Sequence, residues 1–196
     1  MTDNFLHLTF SIFTYNDIVK FSDVVNELFL KQFQTGTAKM EQGNLCIDLY
    51  YNQIQGGLHK DIFSFWKTNQ LPQKIIFFSN SSDGRFTLCN VIHQKLKCDF
   101  VLCSLSNDRE TPMFLFHYAN SIMEERDIIA YKDSRWFFHE QGKPLKFENL
   151  NFYKRKYIKE RLNNEIILYY LKKLGIDFYH LDSDILTSYT CERQNI

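Results

Sequence analysis

Residues 74–118 read KIIFFSNSSDGRFTLCNVIHQKLKCDFVLCSLSNDRETPMFLFHY, and this stretch decides the fold. Four short apolar runs, at residues 75–78, 86–92, 100–105 and 113–118, are rich in β-branched and aromatic side chains. Polar links around residues 80–84, 94–97 and 107–112 separate them. Such links are too short for the crossover a parallel pair needs, so the runs are expected to be antiparallel neighbours in a meander. A further strand is expected over residues 135–139, with 128–131 as its partner or as a helix end.

Toward the N-terminus, Leu6, Leu8, Phe10 and Ile12 alternate at a period of two and predict a half-buried strand over 5–13. A helix should follow, capped by Asn16 or Asp17, with Ile18, Phe21, Val25, Leu28 and Phe29 as its core stripe, and ended by Thr35-Gly36. Leu45, Ile47, Leu49 and Tyr51 predict a second strand that stops at Gly56-Gly57, and Ile62, Phe63, Phe65 and Trp66 a short helix. Toward the C-terminus, Asn151 is placed to cap a long helix reaching Leu174, with Gly175 closing it. Residues 176–181 read as a last strand, and 188–196 as a frayed end. The fold class is therefore α+β: a mainly antiparallel sheet with a central meander, an N-terminal helix and a long C-terminal helix packed on one face. A single compact domain over 1–196 is the simplest organisation.

Composition narrows the function. The 196 residues are 44% hydrophobic and 23% charged, which excludes disorder and a fibre. Lys plus Arg and Asp plus Glu are 23 each, so no global field steers the molecule to nucleic acid or an anionic membrane. The balance hides a local excess. Between residues 151 and 175 lie Lys154, Arg155, Lys156, Lys159, Arg161, Lys172 and Lys173 against Glu160 and Glu165. Five cysteines without a CxxC pair read as reduced thiols. With no basic N-terminal region and no long apolar run, we expect a cytoplasmic protein with no membrane partner.

Motif tests are mostly negative. The seven glycines form no phosphate-binding loop, and no cofactor is expected. His7-Leu8-Thr9 is similar to one half of the paired motif of two-histidine phosphoesterases, but no other histidine has Ser or Thr two residues later. The adopted reading is a first strand showing His7 and Thr9 on its polar face. Asp182-Ser183-Asp184 resembles the acidic segment of sugar-nucleotide glycosyltransferases over about eight residues, and is read instead as a strand end opening a turn. His93, Cys98 and Cys103 lack zinc-knuckle spacing, so no metal is expected.

Two groups remain as candidate sites. The first is partner-binding: Tyr153, Arg155, Lys156, Tyr157, Lys159 and Arg161 interleave rings and cations, with Tyr169 and Tyr170 following. Phenols and guanidinium groups are enriched where interfaces bury their strongest contacts. The second is a polar cluster of His117, Glu124, Arg126, Asp133, Arg135 and His139, which an enzyme could use as acid, base and anion-binding groups. The chain is similar in general character to the immunity proteins that neutralise bacterial toxins by occluding their active sites, with no residue carried over. A non-enzymatic module that binds a protein, such as a cognate toxin, is the reading adopted. A metal-independent hydrolase, a nucleic-acid binder using residues 153–161, and a homodimer are the alternatives.

Overall fold

The computed structural model of the chain describes residues 5–51, 53 and 60–193. Among them, nine strands form one sheet: β1 (His7–Phe13), β2 (Ala38–Gln42), β3 (Asp61–Thr68), β4 (Ile75–Ser79), β5 (Phe100–Ser106), β6 (Met113–Ala119), β7 (Glu125–Lys132), β8 (Trp136–Gly142) and β9 (Ile185–Arg193). Their spatial order is β2-β9-β3-β4-β1-β5-β6-β7-β8, and every neighbouring pair is antiparallel. Four α-helices accompany them: α1 (Ile18–Leu28), α2 (Leu30–Gln34), α3 (Phe86–Leu96) and α4 (Asn164–Lys173).

The meander is β5-β6-β7-β8; of the four runs expected as antiparallel neighbours only 100–105 and 113–118 pair with each other, while 75–78 form β4, which pairs with β1 and β3 instead. The meander does not extend back through residues 86–92, which form α3 rather than a strand. Cys89, Ile92 and His93 are its buried residues, at helical spacing, and Arg85 and Lys97 flank it in the left-handed region. Helix α3 therefore carries the chain from β4 to β5 across β1, leaving β4 and β5 parallel to each other with β1 between them. The loop before α3 must lie close to β1 to make this crossing. A Cβ on Gly84 would come within 2.5 Å of Thr9 Cγ2, so glycine is what that approach requires.

Residues 62–66 belong to β3, not to a helix. The strand is covered on both faces, with only two of its eight residues even partly exposed, so it shows no alternation and its apolar run mimics helical spacing. Residues 47–50 form a short 3-10 turn in place of the expected strand, with Tyr50 buried in the core and its hydroxyl 2.6 Å from Ser64 Oγ. The Gly56-Gly57 break lies outside the described residues. Residues 176–181 are a turn containing a 3-10 helix over Phe178–His180 rather than a strand. Residues 188–193 of the expected frayed end belong instead to β9, which pairs with both β2 and β3, and 194–196 lie outside the described residues. Polar residues fill β9 because its neighbours bind its backbone.

The helices pack on both faces of the sheet, not on one. Phe13, Phe63, Phe65, Phe77, Phe100 and Leu102 form a layer with Phe21 and Val25 of α1 and Cys89 and Ile92 of α3. On the opposite face, Phe10, Trp66, Phe78, Val101, Phe116 and Ile128 pack with Ile166, Ile167, Tyr170 and Leu171 of α4. Helix α1 starts as the sequence predicts, with Asp17 accepting from Lys20 N at 2.9 Å. Helix α4 is much shorter than expected. It begins at Asn164, capped by Asn163, whose side chain accepts from Ile166 N at 3.0 Å, so Asn151 is not the cap. Residues 151–157 are turns, followed by a 3-10 helix over Ile158–Glu160. Among the described residues no helix is long and apolar enough to cross a membrane.

Candidate functional site

Turns separate the two parts of the expected partner-binding set. Tyr153 and Tyr170 are core residues at 7% and 0% exposure, with their hydroxyls 2.8 Å apart. They anchor the chain and present nothing to a partner. The apolar girdle expected around α4 is largely enclosed, since Ile166, Ile167, Tyr170 and Leu171 are buried, while Tyr169 stays 41% exposed. Arg155, Lys156, Tyr157 and Lys159 are exposed.

The way these cations are held is distinctive. Among the described residues, none of the seven basic side chains between 151 and 175 makes an ion pair. Arg155 lies over the Phe152 ring at 4.4 Å and donates to Glu160 O. Arg161 lies over Phe138 at 5.5 Å and donates to Arg155 O at 2.9 Å. Lys156 rests on Tyr157 and Lys173 on Tyr169. Ring and carbonyl contacts orient a cation without cancelling its charge. The segment thus keeps a preorganised positive surface.

What fastens this segment to the sheet is the buried Arg126. Its side chain is 2% exposed and pairs with Glu148, 0% exposed, and with Glu140. Nη2 donates to Glu148 Oε2 at 2.7 Å, and Nη1 donates to the carbonyls of Gln141 and Gly142. Glu148 Oε2 also accepts the Tyr153 hydroxyl at 2.7 Å, and Oε1 accepts Leu145 N. Burial opposes the guanidinium charge, but its hydrogen bonds to Glu148 and Glu140 outweigh it and hold the pKa of Arg126 above its ordinary value. Gly142, at φ +88°, leaves room for this approach, because a Cβ there would strike Glu125 O.

The six-residue polar cluster does not converge. Arg126 and His117 lie on opposite faces of the sheet, because Tyr118 pairs with Arg126 and His117 with Asp127. His117 is buried between Phe86 and Phe100, and its Nδ1 lies 2.6 Å from Asp127 Oδ1. Glu124 accepts from Asn120 Nδ2 in the β6–β7 hairpin. Asp133 and Arg135 sit in the β7–β8 turn, with Arg135 over Phe137, and His139 is exposed on β8. Among the described residues no group of three or more His, Cys, Asp and Glu side chains could hold a metal ion. Burial pushes the thiols of Cys89, Cys98 and Cys191 up to about 12, far from a reactive thiolate.

A second site, which sequence reasoning missed, opens where β4 and β5 end. A cavity of about 360 Å³ is lined there by His7, Thr9, Gln53, Ser104, Tyr131 and Lys132, among others. In the β1–β5 register Thr9 faces Ser104 and His7 faces Ser106, so four polar residues form a patch on one face of two otherwise apolar strands. Each strand shows these polar residues at a period of two, and that was the available signal. His7 Nε2 lies 3.3 Å from Asp108 Oδ2. Hydrogen bonds from the Thr111 hydroxyl and Glu110 N pull Asp108 down to about 2, so this carboxylate is ionised at neutral pH.

No protein-family model matches the chain, and neither the curated proteins nor the solved structures contain a significant match to it.

Proposed function

We propose that the protein is a non-enzymatic binding module that docks an acidic protein through the exposed cations and rings of residues 154–161. The observation that carries this reading is the unneutralised charge of that segment, fixed by aromatic and carbonyl contacts and pinned to the sheet by Arg126 and Glu148. Positive charge held in place without an internal counterion complements negative potential on another surface, which speeds encounter and fixes orientation. Arg155, Lys156, Tyr157, Lys159 and Arg161 form the contact set, joined by Tyr169. A toxin whose active site is occluded is one partner with this chemistry.

The test is a triple charge reversal, Arg155→Glu with Lys156→Glu and Lys159→Glu. These side chains are exposed, so stability should change by no more than about 0.5 kcal/mol for each. The product of the adjacent gene is the first partner to titrate calorimetrically against the native and reversed proteins. Micromolar binding by the native protein and none by the reversed one is the expected result. Equal binding by both would exclude this surface. A single-stranded oligonucleotide titrated in parallel separates the nucleic-acid alternative, whose affinity would fall steeply with salt.

A further inference from the structure

The cavity at the ends of β4 and β5 is independent of the cationic segment, and hydrogen-bond accounting says what it can hold. We propose that it binds a small polyhydroxylated molecule of monosaccharide size. Its volume of about 360 Å³ is at the small end of ligand sites, which run from roughly 300 to 1,000 Å³. It also lies outside the carboxyl ends of two parallel strands joined by a helix, where α/β units commonly place ligands.

The floor of the cavity has few protons left to give. Thr9 Oγ1 donates to the carbonyl of Ser82 at 2.9 Å, which commits its one proton. The 2.8 Å bond between Thr9 Oγ1 and Ser104 Oγ must then be donated by Ser104. Gln53 donates both amide protons inward, to Thr9 O at 2.6 Å and Ser79 O at 2.9 Å, while its oxygen accepts from Thr9 N. Thr111 gives its proton to Asp108. Because Asp108 is ionised, His7 must be the donor in their contact, through Nε2. In the neutral imidazole that leaves Nδ1 as an acceptor. On these residues the remaining capacity consists of lone pairs on Ser104, Gln53 and His7, which need donors from a ligand, while the hydroxyl of Ser82 beside them can donate or accept.

The rim supplies the complement. Lys132 lines the cavity and makes no ion pair among the described residues, so its ammonium offers donors. Met113 and Tyr131, the latter fixed by stacking on Phe137 at 5.0 Å, offer apolar surface. An anion would meet the acceptor floor and the Asp83 carboxylate, which lines the cavity. A simple ammonium ion would meet Lys132. Hydroxyl groups both donate and accept, and the carbon skeleton of a polyol has apolar faces, so a polyol satisfies all three surfaces.

Saturation-transfer difference NMR tests this, with myo-inositol, D-ribose, D-glucose and N-acetyl-D-glucosamine each at millimolar concentration. Choline and acetate serve as the cationic and anionic arms. Saturation transfer to at least one polyol is expected, and titration should show it weakened about tenfold in Tyr131→Ala and in His7→Ala, the scale of one lost apolar or one lost hydrogen-bonded contact respectively. Both residues are partly exposed, and amide spectra verify that the variants fold. Lys132→Ala, also partly exposed, replaces either variant whose spectrum changes globally. Transfer to none of the polyols, transfer confined to choline or acetate, or transfer unchanged in the variants would overturn the proposal.

Discussion

The two faces of the sheet are covered by different physics. On the face under α1 and α3 the layer is built from rings: Phe13 lies 5.1 Å from Phe21 and 5.5 Å from Phe100, Phe21 lies 4.9 Å from Phe65, and Phe63 lies 5.3 Å from Phe77. Non-directional burial covers most of it, because both helices carry an apolar stripe to lay on it, and directional pairing is confined to one edge, where the buried Asp61 meets Arg85 and Arg193. On the other face α4 covers only part of the sheet. The rest, over β7 and β8, lies beneath residues 143–163, which have no α-helix and so no stripe. Directional bonds from Arg126, Glu148 and Tyr153 take over that task. A segment without regular structure can be placed accurately on a sheet when a buried charge network specifies its position.

This contrast breaks most clearly at the network. Glu148→Ala leaves the buried Arg126 without its main partner and should cost about 3–5 kcal/mol in urea unfolding. The double change Arg126→Met with Glu148→Leu should recover most of that loss, since a well-packed apolar pair replaces a buried ion pair at little cost. On the ring-built face, Ile92→Ala should cost about 2–5 kcal/mol through its cavity, with no partner substitution able to restore it. Rescue on both faces, or on neither, would erase the distinction.

The helix caps offer a finer comparison. If directionality on the second face resides in residues 143–163 and not in α4, then Asp17→Ala and Asn163→Ala should cost the same, about 1 kcal/mol each. A much larger loss for Asn163→Ala, by the same urea titration, would move the weight to α4.

At neutral pH the smallest effect is nil, and it grows only with alkali. Burial raises the thiols of Cys89, Cys98 and Cys191 on the ring-built face to about 12, above the value of about 8.5 expected in the unfolded chain. The folded thiols bind their protons more tightly, so their contribution is complete below about pH 8.5 and is lost as pH rises toward 12. Burial also raises Tyr153 and Tyr170 on the other face, but from an ordinary value near 10. Urea midpoints measured against pH should therefore begin to fall near 8.5, and Cys89→Ala with Cys191→Ala should make that first decline shallower. An unchanged decline would assign the alkaline limb to the remaining buried thiols of Cys98 and Cys103 and to the phenols.

Legibility followed burial. Strand β1, the start of helix α1 at its Asp17 cap, and the pairing of β5 with β6 could be read because links, caps and periodicity are local properties. Strand β3 was misread as a helix, since a strand enclosed on both faces loses its polar interruptions, whereas α3 was misread as a strand because its short run of Phe86, Leu88, Val91 and Ile92 is rich in aromatic and β-branched residues although one side of the helix is exposed. Strand β9 was missed because its polar side chains hide a backbone paired on both sides. The exposure of Arg155, Lys156, Tyr157, Lys159 and Tyr169 was legible from composition. Tyr153 and Tyr170 were misplaced, because a phenol reads the same whether its hydroxyl meets solvent or a buried carboxylate. The cavity residues His7, Gln53, Ser104 and Tyr131 come from four separate stretches, and no spacing rule joins them.

The sequence by itself determined the α+β class, the antiparallel pairing of β5 with β6, the start of the first helix and the local excess of positive charge. Only the tertiary structure decided that helices cover both faces, that Arg126 and Glu148 meet in the interior, and that β1 threads between β4 and β5 to open a polar cavity. The physical reason is range. Propensity, capping and short-link geometry act over a few residues, whereas strand order and buried charge pairing are chosen by contacts between residues far apart in the chain.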